Sequence, residues 1–131
     1  MNIEKFTEKS KDVIANSSTI AMQNGNEEIE DLHLFLAMID NGQNLIYQLL
    51  STNMEINIDN IKVLVQEAVN KLPKLDKPTA MRFSETTDVI LNNSEKQAAS
   101  MKDEFVSVEH IMLAIMEKGS RELIKIFKIL V

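Results

Sequence analysis

One offset organises this sequence. A shift of 77 positions, set by Phe6 and Phe83, lays the first third of the chain over its last third without a gap. Glu8 meets Glu85, Asn16 meets Asn93, Ser17 meets Ser94, and Ala21 meets Ala98. Glu27 then meets Glu104, His33 meets His110, Leu36-Ala37 meets Leu113-Ala114, and Gly42 meets Gly119. Conservative pairs fill the intervals: Thr7 with Ser84, Val13 with Ile90, Ile14 with Leu91, Ile29 with Val106, and Leu34 with Ile111. The matches fall in phase with the apolar positions, which chance identities do not. Two units of this kind can each bury an amphipathic face against the other, so the chain reads as a pseudo-twofold bundle.

The period within each copy is helical. Phe6, Val13, Ile14 and Ala21 share one face of a first helix, with Thr7 as its N-cap and Gly25 at its end. Leu32, Phe35, Leu36 and Ile39 form a second stripe, stopped at Asn41-Gly42. Leu45, Ile46, Leu49 and Leu50 form a short third. Ile58, Ile61, Val65, Ala68 and Leu72 form a fourth, with Asp59 and Asn60 near its start; Pro73 ends it by disfavouring helix in the residue before. The expected organisation is a single domain over 1–131: repeat one at 1–73, a linker at 74–82, and repeat two at 83–131. Repeat two is one helix short, since the counterpart of the fourth stripe would fall beyond Val131. The apolar run Ile126 to Val131 therefore predicts a chain that is part of a longer one, or an edge that needs a partner. In isolation that edge gives a monomer or a tail-mediated dimer.

Composition narrows the function. Glycine (3), proline (2) and aromatics (5%) are scarce, which favours an all-α chain. A net charge of -6 without basic clusters argues against a nucleic-acid partner, because phosphate binding needs a basic face. No apolar run approaches the roughly 20 residues needed to span a bilayer, so no membrane partner is expected. Residues 1–11 lack the apolar core of a signal peptide. The absence of cysteine excludes a disulfide framework and thiolate chemistry, and fits a cytoplasmic protein.

Catalytic and metal motifs are missing. Gly25, Gly42 and Gly119 are the only glycines, and Lys118-Gly119-Ser120 has the wrong order for a phosphate-binding loop. There is no His-Glu-x-x-His zinc motif and no serine in a Gly-x-Ser-x-Gly elbow. His33 and His110, the only histidines, sit at equivalent positions. They read either as a symmetric metal or pH-sensitive pair, or as packing residues in the first turn of each second helix. Two imidazoles without carboxylate partners favour packing. Ser107 is a good N-cap for the helix that carries Glu109 and His110. Glu109 is either a carboxylate favoured by the positive helix end, worth about 0.3–1 kcal/mol, or a surface contact for a peptide. Asp103 and Glu104 lie in the preceding loop, where solvated charge is the simpler account. Met38, Met101, Met112 and Met116 are placed on helices, as core filler or as an adaptable binding surface.

These residues carry a resemblance. The run Asp103-Glu104-Phe105-Val106-Ser107-Val108-Glu109-His110-Ile111-Met112-Leu113-Ala114-Ile115 resembles the Clp-repeat signature. Ile29-Glu30-Asp31-Leu32-His33-Leu34-Phe35-Leu36-Ala37 is its weaker twin, departing at Leu32, where the family often has glutamate. Glu4-Lys5-Phe6-Thr7-Glu8-Lys9 is similar to the family's start, and Leu72-Pro73-Lys74 resembles the ClpB-type disaggregases within it. The resemblance covers essentially the whole chain.

It implies an all-α fold of two tandem four-helix Clp repeats, the last helix of the second missing. It further implies an N-terminal module joined to AAA+ motors that form a hexamer and use ATP and Mg. Those motors lie outside this chain, so the domain itself is expected to hold no cofactor, no metal and no catalytic residue. The implied partners are unfolded or aggregated client proteins in a stress-response chaperone. An alternative is a dedicated adaptor, as in a ClpC- or ClpA-type protease regulator. The client contacts implied by analogy are Thr7, Asp103 and Glu109, with His110, Asn93 and Gln97 along the neighbouring face. A third reading, a small all-α enzyme with a pocket around His33 or His110, comes from the histidines alone.

Overall fold

The computed structural model describes residues 1–40, 44–53, 55–77 and 81–129. After a 3-10 turn at Ile3–Lys5, the first repeat runs α1 (Glu8–Gln23), β1 (Glu28–Ile29), α2 (Asp31–Asp40), α3 (Leu45–Thr52) and α4 (Ile58–Asn70). The second runs β2 (Arg82–Phe83), α5 (Glu85–Ser100), α6 (Val108–Lys118) and α7 (Arg121–Ile129). The all-α reading holds, with seven α-helices and one two-residue parallel sheet among the described residues.

The duplication extends to local chemistry. Thr7 and Ser84 cap α1 and α5 with the same backbone angles, φ -64 and ψ 162, and accept from the N–H groups of Ser10 and Thr87. Each such cap stabilises its helix by about 1 kcal/mol. Ser17 and Ser94 each donate to the carbonyl three residues back at 2.6 Å. After each helix the chain enters the left-handed region once, at Gly25 (φ 75) and at its counterpart Lys102 (φ 59).

The repeats then cross-link. Ile29 pairs with Phe83 in the β1–β2 ladder, and Phe6 pairs with Val106 in an isolated parallel bridge. Each repeat thus lends the residue before its first helix to the other repeat's loop. The ladder takes in Arg82, the last residue assigned to the linker, whose guanidinium lies 3.5 Å from Glu28. Helical periodicity gave no sign of these two-residue pairings, which are too short to carry a period of their own.

The core gathers on α2, whose residues Asp31 to Ile39 are all buried. Helices α1, α3, α4, α5 and α6 all pack against it. Asp31 is buried because it bridges the repeats: its carboxylate accepts from the N–H (2.6 Å) and the hydroxyl (2.9 Å) of Ser120, just ahead of α7. Desolvation raises its pKa, opposed by those Ser120 hydrogen bonds.

Three expectations change. Helix α4 ends at Asn70 rather than Leu72, with Lys71 as its C-cap. Of the four methionines singled out, Met38 is buried, Met112 is half-buried and Met116 is exposed on α6, while Met101 lies in the turn after α5 instead of on a helix. The described part of the apolar tail, Ile126 to Ile129, belongs to α7 and is partly covered within the chain, although Ile129 stays 63% exposed. Leu123 and Ile126 are buried, and Phe127 sets its ring edge-on to Phe35 at 5.0 Å. The cover comes from α4, which packs on α7. Asn41-Gly42, Leu130 and Val131 lie outside the described residues.

Candidate peptide-binding face

Each repeat uses its histidine to tie a loop to the start of its second helix. In repeat two, the backbone N–H of Ser107 donates to His110 Nδ1 at 2.9 Å. Since that nitrogen accepts, the proton of a neutral ring sits on Nε2. Nε2 then donates to Asp103 Oδ2 at 2.8 Å. In repeat one, Glu30 N–H donates to His33 Nδ1 at 2.8 Å, and His33 Nε2 donates to Asn26 Oδ1 at 2.9 Å. Both histidines are buried with hydrogen-bonded rings, as the packing reading expects. Both ring nitrogens of each are engaged within their own repeat. Among the described residues no group of three or more His, Asp or Glu could hold a metal ion.

The Ser107 hydroxyl also lies 2.9 Å from His110 Nδ1, so serine, histidine and aspartate line up. This is a helix cap and not an activated nucleophile: the Nδ1 lone pair already accepts the Ser107 N–H and is not free to take a hydroxyl proton. Asp103 is therefore more than a solvated loop charge. Its side chain is 49% exposed, with one oxygen held by a buried imidazole.

Thr7 reaches the same region by another route. Its N–H donates to the carbonyl of Val106 at 3.0 Å, and the hydroxyl of Ser10 donates to that carbonyl at 2.9 Å. The Phe6–Val106 bridge thus seats the start of α1 against the loop between Asp103 and Ser107. Glu109 follows in the first turn of α6, half-buried. Asn93 and Gln97 belong to a separate group along the α5–α6 seam. Gln97 donates to Asn93 Oδ1 at 3.3 Å and to Glu117 Oε2 at 2.7 Å. The six candidate residues form two neighbouring groups instead of one cluster.

Two apolar residues flank Asp103: Met101, which the sequence offered as core filler or binding surface, and Phe105, which sequence reasoning missed as a site residue. Met101 and Phe105 are large, apolar, and 55% and 49% exposed. Their repeat-one counterparts are Asn24 and Glu28, both polar. Apolar residues that replace polar ones at exposed loop positions of one copy only are the signal that could have found them.

The comparisons agree with this architecture. The family described as "Clp repeat (R) N-terminal domain" matches residues 5–130. Chaperone protein ClpB of Porphyromonas gingivalis is 34% identical over 116 residues, which covers 88% of this chain and 13% of that protein. The chain thus spans about an eighth of that relative. The Hsp104 N-terminal domain from Candida albicans superposes with a TM-score of 0.85 at 24% identity, covering 96% of this chain and 81% of that one. A ClpV N-domain in complex with a VipB peptide superposes with a TM-score of 0.76 at 18% identity, covering 96% and 79%.

Proposed function

Because the chain belongs to the Clp repeat N-terminal domain family, we propose that it is the client-recognition module of an ATP-dependent disaggregase of ClpB type. In this reading it binds unfolded or aggregated polypeptide and passes it to AAA+ motors outside this chain, where ATP and Mg act. The observation that carries the reading is the exposed pair Met101 and Phe105 flanking Asp103, whose carboxylate His110 holds in place. Exposed apolar side chains suit apolar client segments, while the carboxylate suits their backbone or basic groups. In this reading Thr7, at the start of α1, and Glu109, in the first turn of α6, supply further contacts, and Asn93 and Gln97 supply others along α5. The patch is small, so capture is weak, which suits hand-over to a motor.

Titration of the domain with an unfolded model protein, followed by methyl and amide shifts, tests this. The expected responders are Met101, Phe105 and the first turn of α6. Phe105→Ala removes part of an aromatic contact worth about 1.5–3 kcal/mol when fully buried, so affinity should drop roughly tenfold. Asp103→Ala should weaken binding less. Shifts confined to other surfaces, or a Phe105→Ala domain that binds clients as before, would sink the assignment.

Adaptor docking is the second reading, favoured by the peptide bound to the ClpV N-domain, which has the same fold. A single tight partner recovered together with indifference to unfolded proteins would select it.

A further inference from the structure

Two of the three glycines follow an asparagine, at Asn24-Gly25 and Asn41-Gly42. Asparagine before glycine is chemically unstable, because glycine has no Cβ to keep its nitrogen away from the amide carbon and leaves the backbone free to turn. Asn41-Gly42 lies outside the described residues, whereas Asn24-Gly25 forms the turn that closes α1. The repeat-two copy of that turn is Met101-Lys102, which has no amide to react. Met101 nevertheless takes φ -88 and ψ 2, where Asn24 takes φ -87 and ψ 2. The turn therefore does not call for asparagine. The side-chain amide is there for its contacts.

Those contacts join three parts of repeat one. Asn24 Nδ2 donates to Asn26 Oδ1 at 2.8 Å and to the carbonyl of Val69, near the end of α4, at 3.0 Å. Asn26 Oδ1 also accepts from His33, and its amide donates to the Pro73 carbonyl. The Gly25 carbonyl accepts the Leu75 N–H at 2.8 Å. The end of α1, the end of α4 and the start of the linker thus meet at this turn. The same contacts hold the reaction off. Nδ2, the nitrogen that would leave, is tied twice. The N–H of Gly25, whose nitrogen would attack, donates to the Met22 carbonyl at 3.0 Å. At a ψ of 2 that nitrogen is turned away from the Asn24 side chain, so ring closure needs a rotation that breaks the turn.

We propose that Asn24-Gly25 is a deamidation site that the fold keeps closed and that a local opening of repeat one exposes. In the open state the Gly25 nitrogen, its proton given up to hydroxide, attacks Asn24 Cγ. The N–Cγ bond forms, the Cγ–Nδ2 bond breaks, and Nδ2 takes a proton from water and departs as ammonia. Water then opens the five-membered succinimide at either carbonyl and leaves aspartate or isoaspartate at position 24. In sum one water enters and one ammonia leaves, with no change of oxidation state. Reclosure is then opposed. A carboxylate faces two acceptors, Asn26 Oδ1 and the Val69 carbonyl, where an amide donated to both. Isoaspartate also adds a methylene to the main chain just ahead of the Gly25 carbonyl that holds Leu75. The device is one-way: opening permits the conversion, and the conversion keeps repeat one from closing. None of these residues belongs to the client patch.

The test is to age the 131-residue chain in mildly alkaline buffer and map it by peptide mass spectrometry. Conversion at Asn24 should run at least roughly tenfold slower in the native chain than in the chain unfolded in guanidinium chloride, because it needs a minor open state. Asn26→Ala, which removes a partner of Asn24 and the tie to Pro73, should raise the native rate several-fold. Leu91→Ala, a core change in repeat two, should leave that rate nearly unchanged when each variant is held the same interval below its own melting temperature. Asn24→Asp should speed hydrogen exchange of the Asn26 and Leu75 N–H groups at least roughly tenfold and leave the Asp103 N–H, the repeat-two counterpart, unchanged. Equal native and unfolded rates, or no conversion in either, would overturn the proposal. So would equal acceleration by Asn26→Ala and Leu91→Ala, since the site would then open only when the whole chain unfolds. Asn26 and Leu75 amides that stay protected in Asn24→Asp would remove the one-way step. If Asn26→Ala does not fold, the native-against-unfolded rates and the Asn24→Asp exchange still decide.

Discussion

The two histidine latches have the same geometry and opposite surroundings. Around His33, both partners are neutral groups: the backbone N–H of half-buried Glu30 and the side-chain amide of deeply buried Asn26. Asn26 is 3% exposed, and its Oδ1 accepts from His33 and from the side chain of Asn24, while its own amide donates to the Pro73 carbonyl at 2.9 Å. Around His110, the amide is replaced by the Asp103 carboxylate, and the site opens to water. Tying a loop to a helix start needs one acceptor opposite Nε2, and an amide or a carboxylate will serve. Burial decides which one is tolerated. The sealed copy holds a neutral amide, whereas the open copy carries a charge.

Exchanging the two partners is the strongest way to break this comparison. Asn26→Asp places a carboxylate in the sealed site and turns the amide donor to Pro73 into a second acceptor. Breaking a buried polar network in this way typically costs about 3 kcal/mol or more. The reverse change, Asp103→Asn, keeps an acceptor at an exposed position and should cost less than about 1 kcal/mol. Urea denaturation of both variants measures the pair. Equal losses would mean that burial does not separate the latches.

The pH response should come from the sealed copy. Desolvation pushes the His33 pKa down from 6.5 to about 4. A protonated ring would also turn Nδ1 from an acceptor into a donor facing the Glu30 N–H. Between pH 6.5 and about 4 the unfolded chain therefore binds a proton that the folded chain refuses. Stability is whole above that window and falls as the pH drops through it, by about 3 kcal/mol for a shift of this size. Asp31, raised by burial, acts in the opposite sense: it costs stability as the pH rises past the ordinary carboxylate range. Proton shifts of the His33 ring should stay at neutral values down to about pH 5. A ring that titrates near 6.5 in the folded protein would remove the argument.

Much of this was legible in the sequence, for a physical reason. The offset from Phe6 to Phe83 aligned caps, apolar faces and histidines at once, because each belongs to a local pattern with a fixed period. Thr7 as a cap and His33 and His110 as first-turn residues needed nothing beyond neighbours within a few positions. What escaped depends on contacts between distant segments. The Phe6–Val106 bridge is a short backbone pairing with no side-chain signature. The Asp31–Ser120 bond joins residues 89 positions apart, and Ser120 falls opposite no serine in the repeat. The partner of His110 was hidden because Asp103 reads as a loop charge until the α5–α6 turn brings it to the ring.

The smallest expected effects test the two left-handed positions. Gly25 at φ 75 has no Cβ to strain, and an added one would sit 3.1 Å from the carbonyl oxygen of Leu75. That oxygen is backbone, held in a loop that already donates its N–H to the Gly25 carbonyl at 2.8 Å. Gly25→Ala should therefore lose about 1–2 kcal/mol, from the left-handed cost and the close approach together. Lys102 holds the same place at φ 59 with a side chain, so repeat two already bears the left-handed cost. Lys102→Gly should relieve it, but glycine also widens the unfolded ensemble. The net gain should be about 0.5 kcal/mol, or one to three degrees in melting temperature. A loss of stability on Lys102→Gly would mean that the lysine makes a contact outweighing its backbone strain, and that the two turns, alike in their backbone angles, differ in what holds them.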